Sequence, residues 1–311
     1  VLSRIAESLF WIGRYVERAD DTARILDVHV QLLSEDPWAE ESLACRSLLA
    51  IMDHPTPPES GPVGRQTVLQ LLARDRTNPS SITGALVAAR ENARRAREIV
   101  STELWETLNT TRNEVEQVAR RTGPHEFFSW VRQRAAVVAG LMESATPHDA
   151  TWHFMVLGQS IERADMTARL ITTQARLGAS GPGWTTLLRS CGAHEAYLRA
   201  HRGRTSDVDA AGFLVLDRLF PRTIVYALGV ADRALRALEP VEGRREVNDE
   251  AVRELGIVRA RLQYTRRADT LEDLPAVMEQ VQQACSRASE AIRGRYFPSP
   301  ANATAWVGEA L

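Results

Sequence analysis

Lysine is missing altogether: all 38 basic positions of the 311-residue chain are arginine. That absence removes a Schiff-base amine, a pyridoxal-phosphate anchor and the lysine of a phosphate-binding P-loop, each of which needs an amine that guanidinium does not replace. Any cationic work falls to a planar, permanently charged fork. Cysteine is scarce too. Cys45, Cys191 and Cys285 lie far apart, without the C-x-x-C spacing of a zinc ribbon or the density of a disulfide scaffold. Aromatic residues make up 6% of the chain. No apolar run approaches the roughly 18 residues of a membrane-spanning helix, and the opening stretch carries charges where a leader peptide needs an apolar core. The formal net charge is −2, so no strong field draws a nucleic acid or an anionic membrane. The expectation is a soluble, cytoplasmic protein with neither kind of partner.

What is present is helical periodicity. Leu9, Ile12, Val16, Ala19, Ala23, Leu26 and Val30 recur at spacings of three and four, one helix face, and Pro37 ends that segment. Similar patterns return around 38–52, 64–74, 81–109, 125–144, 148–177, 184–199, 221–238, 248–266 and 271–292. Thr146-Pro147-His148-Asp149 reads as an N-cap, a first-turn proline and an acidic third position, and Asn78-Pro79-Ser80-Ser81 as a second capped start. Loops are marked at 55–62, 178–183 and 239–244, and strand alternation is not found. Six tryptophans, at 11, 38, 105, 130, 152 and 184, are expected to fill the core. The fold class predicted is all-α, one domain over 1–311, with an extended or frayed tail over 296–311.

One stretch occurs twice. LFWIGRYVERADDTARIL (9–26) aligns without gaps to FMVLGQSIERADMTARLI (154–171), so that Gly13, Glu17, Arg18, Asp20 and Arg24 recur as Gly158, Glu162, Arg163, Asp165 and Arg169, 145 residues on. Weaker echoes pair Trp38 with Trp184, Cys45 with Cys191, Pro79 with Pro221 and Ile82 with Ile224. A period this long suggests tandem duplication. The reading is a helical bundle of two related halves, 1–145 and 146–295, about a pseudo-two-fold axis.

Gly13, Glu17, Asp20 and Arg24 sit at i, i+4, i+7 and i+11, one narrow stripe at 100° per residue, and the second copy repeats it. Asp20 with Arg24 and Asp165 with Arg169 are favourably ordered i,i+4 ion pairs. A glycine inside a helix costs about 1 kcal/mol against alanine, so its place in both stripes implies close approach by a backbone or a ligand. Helices facing each other would bring Glu17, Asp20, Arg24, Glu162, Asp165 and Arg169 into one semi-buried cluster. Two meanings stay open: a salt-bridge network that sets the register of the halves, or a cleft whose arginines bind a carboxylate or phosphate. Metal is the weaker option. Di-metal helical sites use Glu-x-x-His where this motif has Glu-x-x-Asp, and the Asp20-Asp21 doublet becomes Asp165-Met166 in the second copy. No cofactor is indicated.

A second constellation runs from Asn78 to Asn109. Arg90, Arg94 and Arg97 form a cationic stripe beside Glu91 and Asn92, and Ser80 and Ser81 stand at a helix N-terminus able to hold an anion. Periodicity alone favours an ordinary capped amphipathic helix with a solvated basic face. No Gly-rich phosphate loop and no G-x-S-x-G elbow is present.

Taken together, LSRIAESLFWIGRYVERADDTARILDV, NPSSI with ARENARRARE and ELWETLN, and FMVLGQSIERADMTARLI resemble the bacterial alpha-E family, a helical domain named for its Glu-Arg motif and long of unknown function. FLVLDRLFPRTI (213–224), with Asp217, Pro221 and Arg222, is similar to it as well. The resemblance covers roughly residues 2–295. It implies company: a circularly permuted ATP-grasp protein, often a transglutaminase-like peptidase, and hence the making or modifying of a peptide-like product. On the family pattern the candidate functional positions are Glu17, Arg18, Asp20, Arg24, Glu162, Arg163, Asp165 and Arg169, with a second surface of Asn78, Ser80, Ser81, Arg90, Glu91, Asn92, Arg94 and Trp105. The expected role is an accessory, substrate-binding component whose arginines grip carboxylates of a peptide or amino acid. An enzyme using the Glu/Asp cluster, or a purely structural docking partner, are the alternatives.

Overall fold

The apolar spacing at the start of the chain folds into α1 (Ser3–Glu35), which buries Leu9, Ile12, Val16, Ala19, Ala23 and Leu26. The computed structural model describes residues 2–35, 41–55, 63–178, 183–239 and 249–297. Among these, fourteen α-helices and no strand are found. After α1 come α2 (Glu41–Ile51) and α3 (Arg65–Val68), which runs on into a π-helical turn (Leu69–Arg74). Three longer helices follow: α4 (Ile82–Arg95), α5 (Thr102–Arg121) and α6 (Pro124–Ser144). The second copy of the repeated stretch is α7 (Ala150–Leu177). Short helices α8 (Trp184–Ser190), α9 (His194–Ala200) and α10 (Asp207–Leu216) lead to α11 (Ile224–Leu238), α12 (Glu250–Tyr264), α13 (Arg267–Glu272) and α14 (Leu274–Tyr296).

α1 and α7 pack on each other at the centre. α4 and α6 lie against α1, while α11 and α14 lie against α7; α5 touches both α4 and α6, and α12 both α11 and α14. The buried apolar side chains form one continuous cluster drawn from nearly all of these helices. Aliphatic residues and alanine dominate it. Trp11, Trp105, Trp130, Trp152 and Trp184 are only partly buried and pack at its margin, so the expectation of a tryptophan-filled core is corrected. An indole is too large for positions where α1 and α7 approach this closely.

Helix boundaries depart from the periodic reading at four places. The span 81–109 is two helices: a turn follows Arg95, and the Ser101 hydroxyl caps a new start by accepting from Leu104 N–H at 3.3 Å. The span 184–199 breaks at Gly192, whose φ of +60° lies in the left-handed region. α10 arises where no helix is expected, because AAGFLVL is apolar all round and buried, which erases the polar half of the period. α7 is capped by Asp149, accepting from Thr151 N–H at 2.8 Å, and not by Thr146. The expected tail beyond Phe297, Trp38 and much of the loops at 55–62, 178–183 and 239–244 lie outside the described residues. No described helix is long and apolar enough to cross a membrane.

Candidate functional site

The α1–α7 crossing is set by its glycines. A Cβ on Gly13 would stand 2.0 Å from the Met155 carbonyl oxygen, and a Cβ on Gly158 would stand 2.0 Å from that of Phe10. The two backbones are therefore in van der Waals contact, an approach that any side chain at either position would prevent. This contact is reciprocal, with the same 145-residue offset that relates the two copies of the motif.

Four residues on from each glycine the glutamates meet the other helix's arginines. Arg163 donates to Glu17 through Nε and Nη2 at 2.6 and 2.7 Å. Arg18 donates to Glu162 through the same two nitrogens at 2.5 and 3.0 Å. Both glutamate side chains are 3% exposed. Each takes a second arginine: Arg14 Nε reaches Glu162 at 2.7 Å, and Arg222 Nη1 reaches Glu17 at 2.8 Å. Burial alone raises a carboxyl's pKa, but Arg163 with Arg222, and Arg18 with Arg14, outweigh it and hold both glutamates at about 2. Such a lock adds little net stability against an apolar substitute, yet it fixes register, because any other alignment strands buried charge.

The predicted cluster is thus two clusters, one on each side of the crossing. On the first, Asp20 pairs with Arg24 at 3.1 Å, and the Arg222 guanidinium also contacts Asp20 and Asp21. Burial, with Glu17 and Asp20 crowding the same space, outweighs Arg222 and pushes Asp21 up to about 8. Glu17, Asp20 and Asp21 bring carboxylate oxygens within 4.8 Å of one another, a spacing able to surround a cation. Arg222 sits among them. The guanidinium fills the place a metal would take.

On the second side Asp165 pairs with Arg169 at 2.8 Å, and Arg169 Nη1 lies 3.7 Å from Asp53, an 85% exposed carboxylate. This side is open. A groove of about 450 Å³ runs between α1, α7 and α14, lined by Arg14, Asp165 and Arg169 and by polar residues of α14. Arg14 Nη1 donates to Ser289 at 2.9 Å, tying α1 to α14 along its wall. Burial, beyond the opposing pull of Arg169, raises the Asp165 pKa.

The Asn78–Asn109 residues are brought together, but chiefly to fasten α4. Asn78 Oδ1 accepts from Ser80 N–H at 2.9 Å, and Ser81 Oγ caps α4 by accepting from Gly84 N–H at 3.0 Å. Arg90 donates to Asn109 and Glu91 and lies 5.1 Å from the Trp105 ring centroid. Arg94 donates to Glu91, and Asn92 to the Ala88 carbonyl. One thread joins this surface to the lock: Arg18 Nη1 donates to the Pro79 carbonyl at 3.4 Å.

Sequence reasoning missed Arg14 as a site residue, and saw Arg222 only as part of a pattern. Arg14 stands where the second copy has Gln159, so the mismatch between copies was itself the signal. The polar stripe of α14 was also legible: Glu279, Gln282, Gln283, Ser286, Ser289, Glu290 and Arg293 recur at three and four along a helix packed on α7.

Comparison with known proteins gives a family and little about activity. A family model described as Alpha-E, "a predicted alpha-helical domain with a conserved ER motif", matches residues 1–297. The chain is 26% identical over 258 residues to the uncharacterized protein Mb2597 of Mycobacterium bovis, covering 72% of this chain and 28% of that protein. It is 25% identical over 258 residues to the uncharacterized protein Rv2567 of Mycobacterium tuberculosis, with 72% and 28% covered. The chain thus spans 28% of the length of these curated relatives. No solved structure matches it.

Proposed function

The chain belongs to the Alpha-E family, and from that premise we propose that it is a substrate-binding accessory component of an ATP-grasp amide-ligase system. In this reading residues 1–145 and 146–295 are tandem halves related by a pseudo-two-fold axis, and the Glu-Arg motif locks them together. Glu17, Arg18, Glu162 and Arg163 hold the frame. Asp165 and Arg169, on the open side, face a carboxylate-bearing substrate. The observation that carries the reading is the groove of about 450 Å³ on the second side, lined by Arg14, Asp165 and Arg169. Glu17, Asp20 and Asp21 face Arg163, Arg222 and Arg24, while Glu162, Asp165 and the exposed Asp53 face Arg18, Arg14 and Arg169. The charges of this side balance, and what suits a carboxylate is that two of its guanidiniums, Arg14 and Arg169, line open space.

The circularly permuted ATP-grasp partner, and a transglutaminase-like peptidase in the same system, come from the family resemblance alone. Against Glu17 and Glu162 as general acid or base, both are ionised and saturated by arginine, and such a group needs a pKa near the working pH. One observation favours a docking role beside substrate binding. Ile257 and Tyr264, seven residues apart on one face of α12, are 63% and 86% exposed. The test is ATP turnover to ADP and phosphate by the ATP-grasp protein with amino-acid or peptide substrates, with and without this chain. Substrate-dependent turnover should rise with the chain and lose that rise with Arg169→Gln. Turnover indifferent to the chain overturns the proposal.

A further inference from the structure

We infer that the groove between α1, α7 and α14 binds a short zwitterionic peptide, its free α-carboxylate on Arg14 and Arg169 and its free α-ammonium on Glu290. The inference rests on the substrate-binding reading above and names the ligand class of that site.

The wall built by α14 is the first reason. Where a helix packs on a neighbour its facing stripe is normally apolar. α14 keeps that rule at Val281, Ala284, Cys285, Ala288 and Ile292, all buried. The adjoining stripe is polar at seven groove positions from Glu279 to Arg293, with Cys285 alone shared between groove and packed face, and spans about 21 Å at 1.5 Å per residue. Amide, hydroxyl and charged groups are spread along an edge where a peptide backbone could find donors and acceptors at each step.

The second reason is the state of the charged groups. Arg14 spends Nε on Glu162 and Nη1 on Ser289; Arg169 spends Nε on Asp165 and only approaches Asp53 with Nη1. Each keeps an Nη2 with no partner among the described residues, and both face the same groove. Ser289 and Asp165 fix the two guanidiniums in place before a ligand arrives, which lowers the cost of ordering them on binding. The side chains of Glu290 and Arg293 line the groove with no hydrogen bond or ion pair to any described residue, whereas Glu279 already accepts from Gln283. Glu290 follows Ser289, the residue that Arg14 holds, so an acidic group stands next to the cationic floor. A ligand with one negative and one positive end matches this order. Gln282 donates to Thr172, three residues on from Arg169, at 2.9 Å, and from Gln282 to Glu290 is eight residues of helix, about 12 Å. At about 3.3 Å per extended residue, that separation fits about three peptide residues.

The experiment is calorimetric titration of the full chain, without any ligase, using L-alanyl-L-alanyl-L-alanine, its C-terminal amide and its N-acetyl form. The free tripeptide should bind at millimolar concentration or tighter. Each blocked form should bind about tenfold more weakly. Arg169→Gln should erase the difference between acid and amide, and Glu290→Gln that between free and acetylated amine; circular dichroism confirms that each variant folds. No heat from the tripeptide, equal binding of all three forms, or discrimination untouched by both substitutions overturns the inference. Because no ATP-grasp protein is present, failure here is separable from failure of the ligase assay.

Discussion

Replacing Glu162 with glutamine tests the lock where two arginines lose their carboxylate partner at once. Glu162 receives both Arg18 and Arg14, whose side chains are 17% and 12% exposed. Without the carboxylate, Arg18 retains the Pro79 carbonyl at 3.4 Å and Arg14 the Ser289 hydroxyl at 2.9 Å, neither of them an anion. Breaking one member of a buried pair costs about 3–5 kcal/mol because the partner's charge is stranded. In a chain of this size that corresponds to a melting temperature lower by about 5–8 °C. Glu17→Gln should cost less, about 1–3 kcal/mol by the same reasoning. Arg163 loses its carboxylate partner, but Arg222 keeps Asp20 and Asp21, so one arginine is stranded where Glu162→Gln strands two, and removing Glu17 relieves one of the charges that push Asp21 up. Guanidinium titrations followed by far-ultraviolet circular dichroism measure both. Equal losses, a reversed order, or an unchanged midpoint for Glu162→Gln would refute the account of stranded arginines.

The acid–base behaviour should have two opposed limbs. Asp21 binds its proton more tightly folded, at about 8, than at its ordinary 3.8. Its contribution is full below 3.8 and falls by about 1.4 kcal/mol per pH unit as pH rises toward 8. Glu17 and Glu162 act oppositely: their contribution is full above 4.5 and is lost as pH falls toward about 2. Stability measured against pH should peak at about 4–5, and Asp21→Asn should flatten the upper limb. Gly13→Ala and Gly158→Ala should each lose about 3 kcal/mol through the clash with a facing carbonyl. Gly256→Ala on α12, where a Cβ meets nothing within 4 Å, should gain up to about 1 kcal/mol in the same denaturation assay. Cys45, Cys191 and Cys285 are buried, with thiols pushed up to about 11, about 12 and higher, so a thiol reagent should label them only after denaturant is added.

The central contact was readable because its signals are local. Glycine at i and glutamate at i+4 of a helix fix a face by arithmetic, and a second copy says that the face has use. The crossed register was not readable: nothing in either copy says that Glu17 would choose Arg163 over its own Arg18. That choice is made by the depth of the glycine contact, which turns each glutamate toward the other helix. Arg222 is distant in sequence and sits between α10 and α11, beyond the reach of periodicity. The division into a closed and an open side depends on it and on Arg14, and neither belongs to a repeated position. The Asn78–Asn109 surface was readable as chemistry, and its serines, arginines and tryptophan are used in capping and stacking within α4 and α5.

The crossed pairing also governs how this chain can change over descent. A substitution at residue 18 is answered at 162 and one at 17 is answered at 163, so neither copy of the motif can drift as a self-contained unit. Compensation must leap about 145 residues and land in the other copy. Relatives that have lost one glutamate should have lost the distant arginine with it, while keeping the arginine next door.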